Sequence, residues 1–408
     1  MRQRLSKIRA GLHWLCRYPL PVYVPSVGAS ARSVRRRSAA RRAQLAPWPR
    51  TVRPLVALSI FGIAPVLRLA DALALRRRLG NTVLGALTLW RASLRYGYTP
   101  YEVADYNVLS QPAHLRDEWL CDGDLRSFWR RFNGPEAVAL AHNKHHFAVF
   151  CGRNGLSAVP TLGFWGQGRQ IEQAQSPWPD QVLLKPAAGA LGRGIEVWHR
   201  QEESTFRCTV SDGFVAKAKL ELSEEDLRAR AAQLSWQRGG LLAQPCLQPH
   251  PVFATIGVTT GMPTTRTITG RWPDGQVRLI AAHLLIPGTH AFSSNVVLGP
   301  KRLIELGTGT AKPSKSRLLP KSQGENSLDG FVLPDWQSAV GQMLRGHAVF
   351  PGRVVALGWD TAFTPNGPLL LEANLNLSLE KAQSLSQMPA GLGPMGDLLD
   401  AWLDADPM

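Results

Sequence analysis

Residues 356–376 read ALGWDTAFTPNGPLLLEANLN. Asp360 closes an apolar, alternating run. Glu372 and Asn374 lie two apart in the next run, so a strand returning from an Asn366–Gly367 turn presents both on one face. Asp360 then lies opposite them across the hairpin. Two carboxylates and an amide on adjacent strands are hard oxygen donors, a set suited to Mg²⁺ shared with substrate phosphates. A solvated hairpin would carry the same residues, but acids buried beside an apolar run without a cation are costly.

A second stretch, LLKPAAGALGRGIEVW at 183–198, ends an apolar run at Lys185 and then places Gly189, Gly192 and Gly194 as G-x-x-G-x-G. Glycines let backbone N–H groups approach an anion closely, and IEVW resumes a strand, so the pair reads as a flap over a phosphate. Alone, a Gly-rich hairpin is more often merely structural. The Gly-Lys-Ser or Gly-Lys-Thr ending of a Walker loop is missing, as is the helix that follows the glycines of a dinucleotide fingerprint.

The elements that must position these residues are of two textures. From about Ile63 to Tyr101 apolar residues recur at helical spacing, with a stop near Gly97 and Pro100. PLVALSIFGIAPVL, between Arg53 and Arg68, holds 14 residues with two prolines. That is short of the roughly 20 a bilayer core requires, and it reads as the start of a buried or interfacial helix. After about residue 135 short runs such as DQVLLKP, GIEVW, GLLAQPCL, TTRTITGRW, QVRLIAAHLLI and PLLLEANL are broken by Gly, Pro and turn pairs such as Asp274–Gly275. These read as mostly antiparallel strands, interleaved with helices at 137–154, 223–235 and 335–347. The class is α+β. Residues 306–327 read as a long loop.

The formal charge of +17 is concentrated at the front: residues 1–80 carry 17 Lys and Arg against the single acid Asp71, which leaves 30 bases and 29 acids in the rest. A near-neutral body is no polyanion binder, and no nucleic acid partner is expected for it. Residues 1–50, with ARSVRRRSAARRAQ, have the composition of a transit segment and equally of a basic, disordered tail. The tail is the reading adopted, with an anionic surface as a partner it could touch. Five scattered cysteines without C-x-x-C spacing argue against a zinc site or a disulfide framework and fit a reducing, cytoplasmic setting.

LLKPAAGALGRGIEVW followed by GWDTAFTPNGPLLLEANLN resembles the ATP-grasp fold, most closely the sugar-transfer-associated ATP-grasp proteins. ASLRYGYTPYEVADYNVLS, NKHHFAVFCGRNGLSAVPTLG, LLAQPCLQPHPVF, TTRTITGRW and LPDWQSAV match in order. The resemblance covers about residues 85–390. It implies a helical region at 51–135 and an ATP-grasp domain at 136–400, with a small nucleotide lobe at about 181–245 and a catalytic lobe at about 246–390. It also implies ATP and Mg²⁺ as cofactors. Lys144 and Lys185 would reach the nucleotide phosphates, and Gly189, Gly192 and Gly194 would form the flap. Gln244 would lie at the hinge whose backbone edge meets adenine, although many relatives have an acid there. Arg266 would be the catalytic arginine, and Asp360, Glu372 and Asn374 the metal ligands, with Asn376 either a further ligand or a turn cap. His145 and His146 lack metal spacing.

The implied activity is that of an ATP-dependent ligase: a small-molecule carboxylate becomes an acyl-phosphate, which an amine or similar nucleophile attacks, within cell-surface polysaccharide or sugar-transfer metabolism. A phosphotransferase on the same nucleotide site, or a nonenzymatic nucleotide-binding module with a basic docking tail, are the alternatives.

Overall fold

The structure is a computed structural model. It describes residues 25–406 apart from 47, 81, 173–176, 190–193, 202–204, 212–213, 216–219, 259–260, 288–298, 317 and 319–327.

The front of the chain is helical, as its periodicity predicts, but it begins earlier and runs longer. Helix α1 covers Ala31–Leu45, α2 Arg53–Leu79, α3 Val83–Tyr96 and α4 Pro100–Asp105. The boundaries follow local chemistry. Thr82 caps α3 by accepting from the Gly85 N–H, and Gly97 at φ +79° ends it in the left-handed conformation. Thr99 and Glu102 form a capping box on α4.

The disordered tail expected over residues 1–50 is corrected for residues 31–45. Helix α1 packs on α5 (Asp122–Phe132) and on the C-terminal α11 (Pro394–Ala405), and it buries Arg36, Arg37 and Arg41. Arg36 pairs with Glu118 and, at 3.0 Å, with Asp400. Arg41 lies 3.0 Å from Asp124. Arg37 donates to the carbonyls of Asp117 (3.1 Å) and Trp119 (3.0 Å). Buried guanidinium groups persist only where such partners compensate their lost hydration.

The 14-residue apolar segment is likewise part of something longer, because α2 runs through Pro65 as one helix of 27 residues. Its inner face packs along α3, where the Trp90 indole N–H donates to the Pro65 carbonyl at 2.8 Å. By length and composition α2 is long and apolar enough to cross a membrane.

Two antiparallel sheets follow the short helices α6 (Pro135–Ala141) and α7 (Lys144–Arg153). The first is built from β1 (Gly163–Gly166), β2 (Arg169–Glu172), β3 (Gln181–Pro186), β4 (Glu196–Arg200), β5 (Thr205–Ser211), β6 (Phe214–Val215), β7 (Glu221–Ser223) and β8 (Leu241–Pro245). Their order is β2-β1-β8-β3-β4-β5-β6, with β7 beside β5. This sheet starts at Gly163, earlier than the 181 read from the sequence, because β1 pairs with β8. Helix α8 (Glu224–Arg238) lays Leu227, Ala231 and Leu234 over Trp165, Trp178 and Trp198.

The second sheet orders β12 (Ala311–Lys312), β11 (Lys301–Ile304), β10 (Val277–Leu285), β9 (Thr264–Arg271), β13 (Ala356–Thr364) and β14 (Gly367–Asn374). Strand β12 falls inside the stretch read as a loop. One face of this sheet packs on α7 and on α9 (Trp336–Ala348), through Phe147, Trp336, Met343 and Trp359. The other is covered at one end by α1, α5 and α11, which follows the short α10 (Glu380–Ser386), through Ala40, Phe128, Ile268 and Leu398. A polar chain crosses the first of these cores. The Trp359 indole donates to Thr269 Oγ1 (2.8 Å), Thr269 lies 2.8 Å from His347 Nδ1, and His347 Nε2 lies 3.3 Å from the Val354 carbonyl. A neutral imidazole protonated on Nε2 satisfies all three bonds.

Candidate functional site

The hairpin of β13 and β14 delivers its acids as the period-two pattern requires, with one adjustment. Thr364 pairs with Gly367, so the turn tip is Pro365–Asn366, one residue earlier than expected. Counting back from that pair would set Asp360 across from Leu371. A bulge between Asp360 and Thr361 shifts the register by one, and Asp360 pairs directly with Glu372 while Gly358 pairs with Asn374. On its other side Asp360 pairs with Arg266 of β9, which pairs with His283 of β10. Directly paired residues share a face, so Glu372, Asp360, Arg266 and His283 form one row across four strands.

Arg266 grips Asp360 with both arms, Nη2 to Oδ2 at 2.8 Å and Nε to Oδ1. Burial would lower the Arg266 pKa, but Asp360 outweighs it and keeps the guanidinium charged. Burial, opposed by Arg266 and reinforced by Glu372, pushes Asp360 up to about 6. Burial also acts against Glu372, yet Lys144 and the hydrogen bonds of Asp360 and Asn374 hold it below the ordinary range. Asn374 donates Nδ2 to Glu372 Oε1 at 3.2 Å. Two carboxylates that near each other are relieved by a shared proton or by a cation.

The two sheets meet at Lys144. Asn143 caps the start of α7 by accepting from the N–H groups of His145 and His146. This sets Lys144 at the first position of the helix, where its backbone N–H donates to the Ala187 carbonyl at 2.9 Å. Its ammonium lies 2.7 Å from the Gly189 carbonyl and 3.3 Å from Glu372 Oε2. Lys185, near the end of β3, is half-buried. Burial, then the charge of Lys144, lower it to about 8 against the pull of Glu372.

Gly189 has φ +117° with open space where a side chain would stand, so its backbone is free to approach a ligand. Gly194, at φ +73°, is confined instead: a Cβ there would meet Pro186 at 2.9 Å, and its carbonyl accepts from Arg238 at 2.6 Å. Gly192 lies outside the described residues.

The structure therefore brings Lys144, Lys185, Gly189, Arg266, Asp360, Glu372 and Asn374 into one neighbourhood. Gln244 is placed differently. It is buried on β8 opposite Leu183, and its side-chain amide is turned to the Val159 carbonyl at 3.4 Å. Asn376 is exposed past the end of β14. His145 stacks on Phe164 with centroids 4.0 Å apart, a packing role.

His283 is the residue that sequence reasoning missed. It is buried, and its Nδ1 has no hydrogen-bond partner among the described residues. Burial, and then Arg266, Lys301 and Lys381, lower its pKa to about 3, so the imidazole is neutral. Inside QVRLIAAHLLI it reads as one more core residue. The signal that finds it is the cross-strand pairing with Arg266.

Among the described residues no cluster of three or more His, Cys, Asp or Glu could hold a metal by itself. The donor set at the hairpin nevertheless fits Mg²⁺. It offers two carboxylates and an amide, and it leaves the rest of the shell to other oxygens, as this ion prefers.

The sequence profile of sugar-transfer associated ATP-grasp proteins matches residues 125–395. No curated protein matches the chain. Among solved structures, an ATP-grasp superfamily protein from Archaeoglobus fulgidus is similar at 13% identity and TM-score 0.33; the alignment covers 64% of this chain and spans 55% of that one. D-alanine–D-alanine ligase from Helicobacter pylori aligns at 11% identity and TM-score 0.38 over 69% of this chain and 66% of that one. The Bacillus anthracis D-alanine–D-alanine ligase complexed with ATP aligns at 9% and 0.36, over 67% and 66%. The chain belongs to the sugar-transfer associated ATP-grasp family.

Proposed function

We propose that the chain is an ATP-dependent ligase that activates a small-molecule carboxylate as an acyl-phosphate and passes the acyl group to an amine or similar nucleophile. The observation that carries this reading is the position of the Lys144 ammonium, which touches both the Gly189 carbonyl of the flap and Glu372 of the catalytic strand. A phosphate chain entering between the two sheets would meet Lys144 and Lys185 from one side and the acidic row from the other.

In this scheme a carboxylate oxygen attacks the terminal phosphorus of ATP and ADP leaves. The nucleophile then adds to the acyl carbon and inorganic phosphate departs. No side-chain nucleophile is required; the protein supplies position and charge. Lys144 and Lys185 bind the phosphates. Arg266, already charged and held in a fixed plane by Asp360, faces the group being transferred, where a guanidinium fork suits both phosphoryl and acyl-phosphate oxygens. Asp360, Glu372 and Asn374 would hold Mg²⁺, which would neutralise phosphate charge when bound. Strand β8 lies between β1 and β3, so the adenine edge would be the chain that follows it past Pro245, while Gln244 serves the fold. The setting in sugar-transfer or cell-surface polysaccharide metabolism rests on the family alone.

The test is incubation with ATP, Mg²⁺ and pooled acidic sugars and amino acids, followed by mass spectrometry. A condensation product with equimolar ADP and phosphate supports the ligase. A phosphorylated acceptor with no condensation product would assign a phosphotransferase instead. No consumption of ATP with any acceptor would contradict both.

A further inference from the structure

Helices α2 and α3 form a hairpin with two unlike sides. The inner side is fixed to the body: Ala72, Leu75 and Leu89 join a core with Tyr98 and Trp119. Arg68, fully buried, donates to the carbonyls of Ser93 and of Gly97, the latter at 3.3 Å. The outer side is apolar. Leu58, Val66 and Leu73 are spaced on one helical face and exposed, Leu58 and Val66 at 66% each, and Leu84 of α3 extends the patch at 73%.

Between Pro54 and Leu75 the only charged residues are the buried Arg68 and the half-buried Asp71, over about 33 Å of helix. A continuous exposed apolar face of this kind marks a site of interaction.

The charges around the patch identify what it meets. Residues 46–101 contain eight arginines and a single acid, Asp71. Arg50 and Arg53 stand at one end of the apolar stretch and Arg76 and Arg77 at the other, with exposed Arg91 and Arg95 about two and three turns along α3 from Leu84. An apolar face framed by arginines complements a surface that is negative outside and hydrocarbon beneath.

We propose that the outer face of the α2–α3 hairpin docks on an anionic lipid bilayer, with α2 lying in the plane of the interface. Although α2 is long enough to span a membrane, its inner face is occupied, and crossing would drag Arg68 from its carbonyl partners into hydrocarbon. Lying flat keeps those bonds and buries Leu58, Val66, Leu73 and Leu84 among acyl chains. The ATP-grasp domain would then work at the membrane surface, on substrates carried there.

The test is flotation of the full-length protein with phosphatidylcholine vesicles and with vesicles that also contain phosphatidylglycerol. The protein is expected to float with the anionic vesicles and to be released as salt is raised. The double variant Leu58→Glu/Val66→Glu should lower partitioning by more than about 10-fold. Arg76→Gln and Arg77→Gln should each lower it by about 5-fold on anionic vesicles only. All four positions are outside the folded core, so circular dichroism and ATP affinity should match wild type. Leu73→Glu/Leu84→Glu repeats the test on other residues should the first pair fail to fold.

Failure of wild type to float with anionic vesicles would overturn the proposal. Undiminished flotation of the folded double variants would do so too, since another basic segment would then carry the binding. A wild-type dimer that either double variant converts to a monomer, measured by light scattering without lipid, would assign the face to self-association and equally overturn it. None of these outcomes bears on the nucleotide site, which is read separately by ATP binding.

Discussion

The Lys144 ammonium lies 3.3 Å from Glu372 and 2.7 Å from the Gly189 carbonyl, so one side chain ties the Gly-rich loop after β3 in the first sheet to β14 of the second. Replacing it with Met keeps the aliphatic stem and removes the tie. Lys144→Met should speed hydrogen exchange at Ala187–Gly189 in the free protein and weaken ATP binding by about 10-fold or more, the effect of losing a charge-assisted contact. Exchange at these amides should slow in wild type when ATP and Mg²⁺ are added. Identical exchange in all states would show that the flap is rigid independently of Lys144.

Lys185 should trade stability against function. Its folded pKa, about 8, lies below the unfolded value of about 10.5. Below pH 8 both states are protonated and the full cost of burying the charge is present; the cost fades as pH rises towards 10.5. Lys185→Met should therefore stabilise the free protein at pH 7, by about 1–2 kcal/mol after discounting for partial exposure, with the gain vanishing near pH 10.5. The same variant should bind ATP more weakly. Denaturant midpoints across pH check the first statement and nucleotide titration the second.

How much of this was legible follows from what sequence spacing encodes. The period-two placement of Glu372 and Asn374, and Lys185 at a strand end, needed only local pattern. Their alignment with Asp360 and Arg266 did not, because register depends on a bulge after Asp360 and another between Leu279 and Ala281. Without them Asp360 would face Leu371 and His283 would face Thr265. A bulge leaves no compositional trace, so nothing in QVRLIAAHLLI sets His283 apart from its apolar neighbours. The arginines of α1 failed for the opposite reason: their partners Glu118, Asp124 and Asp400 lie about 80 to 360 residues away, and local composition alone describes a tail.

Arg36 gives that correction a measurable form. It bridges Glu118 and Asp400 in a nearly dry site. Arg36→Ala should cost about 3–5 kcal/mol, because it leaves the buried Glu118 without its cation and Asp400 with only the exposed Arg32. Chemical denaturation checks it, and a change below about 1 kcal/mol, the surface-pair range, would return α1 to the status of a loosely attached tail.

His347 should shape the acid limb of stability. Burial, followed by the charge of Arg271, lowers its pKa to about 3 against an ordinary 6.5, with the Val354 carbonyl opposing. The unfolded state therefore binds a proton that the folded state refuses between pH 6.5 and 3, and stability is lost as pH falls through that window. His347→Gln should be less stable than wild type at pH 7 yet show a shallower decline, by up to about 1.4 kcal/mol per pH unit. Parallel pH profiles for the two proteins would remove His347 from this role.

A metal and phosphate site at the β13–β14 hairpin depends on the charge of Glu372, and Glu372→Gln removes that charge alone. The substitution keeps size and the bond to Asn374 while removing the charge that pairs with Lys144 and would hold the cation. Mg²⁺-dependent ATP turnover, measured with an acceptor identified by mass spectrometry, should fall by at least about 100-fold, comparable to loss of a key electrostatic contact. The thermal shift produced by ATP with Mg²⁺ should shrink in parallel. Without ligand the melting temperature should stay within a few degrees of wild type. Full Mg²⁺-dependent turnover in a folded Glu372→Gln protein would rule out a metal and phosphate site at this hairpin.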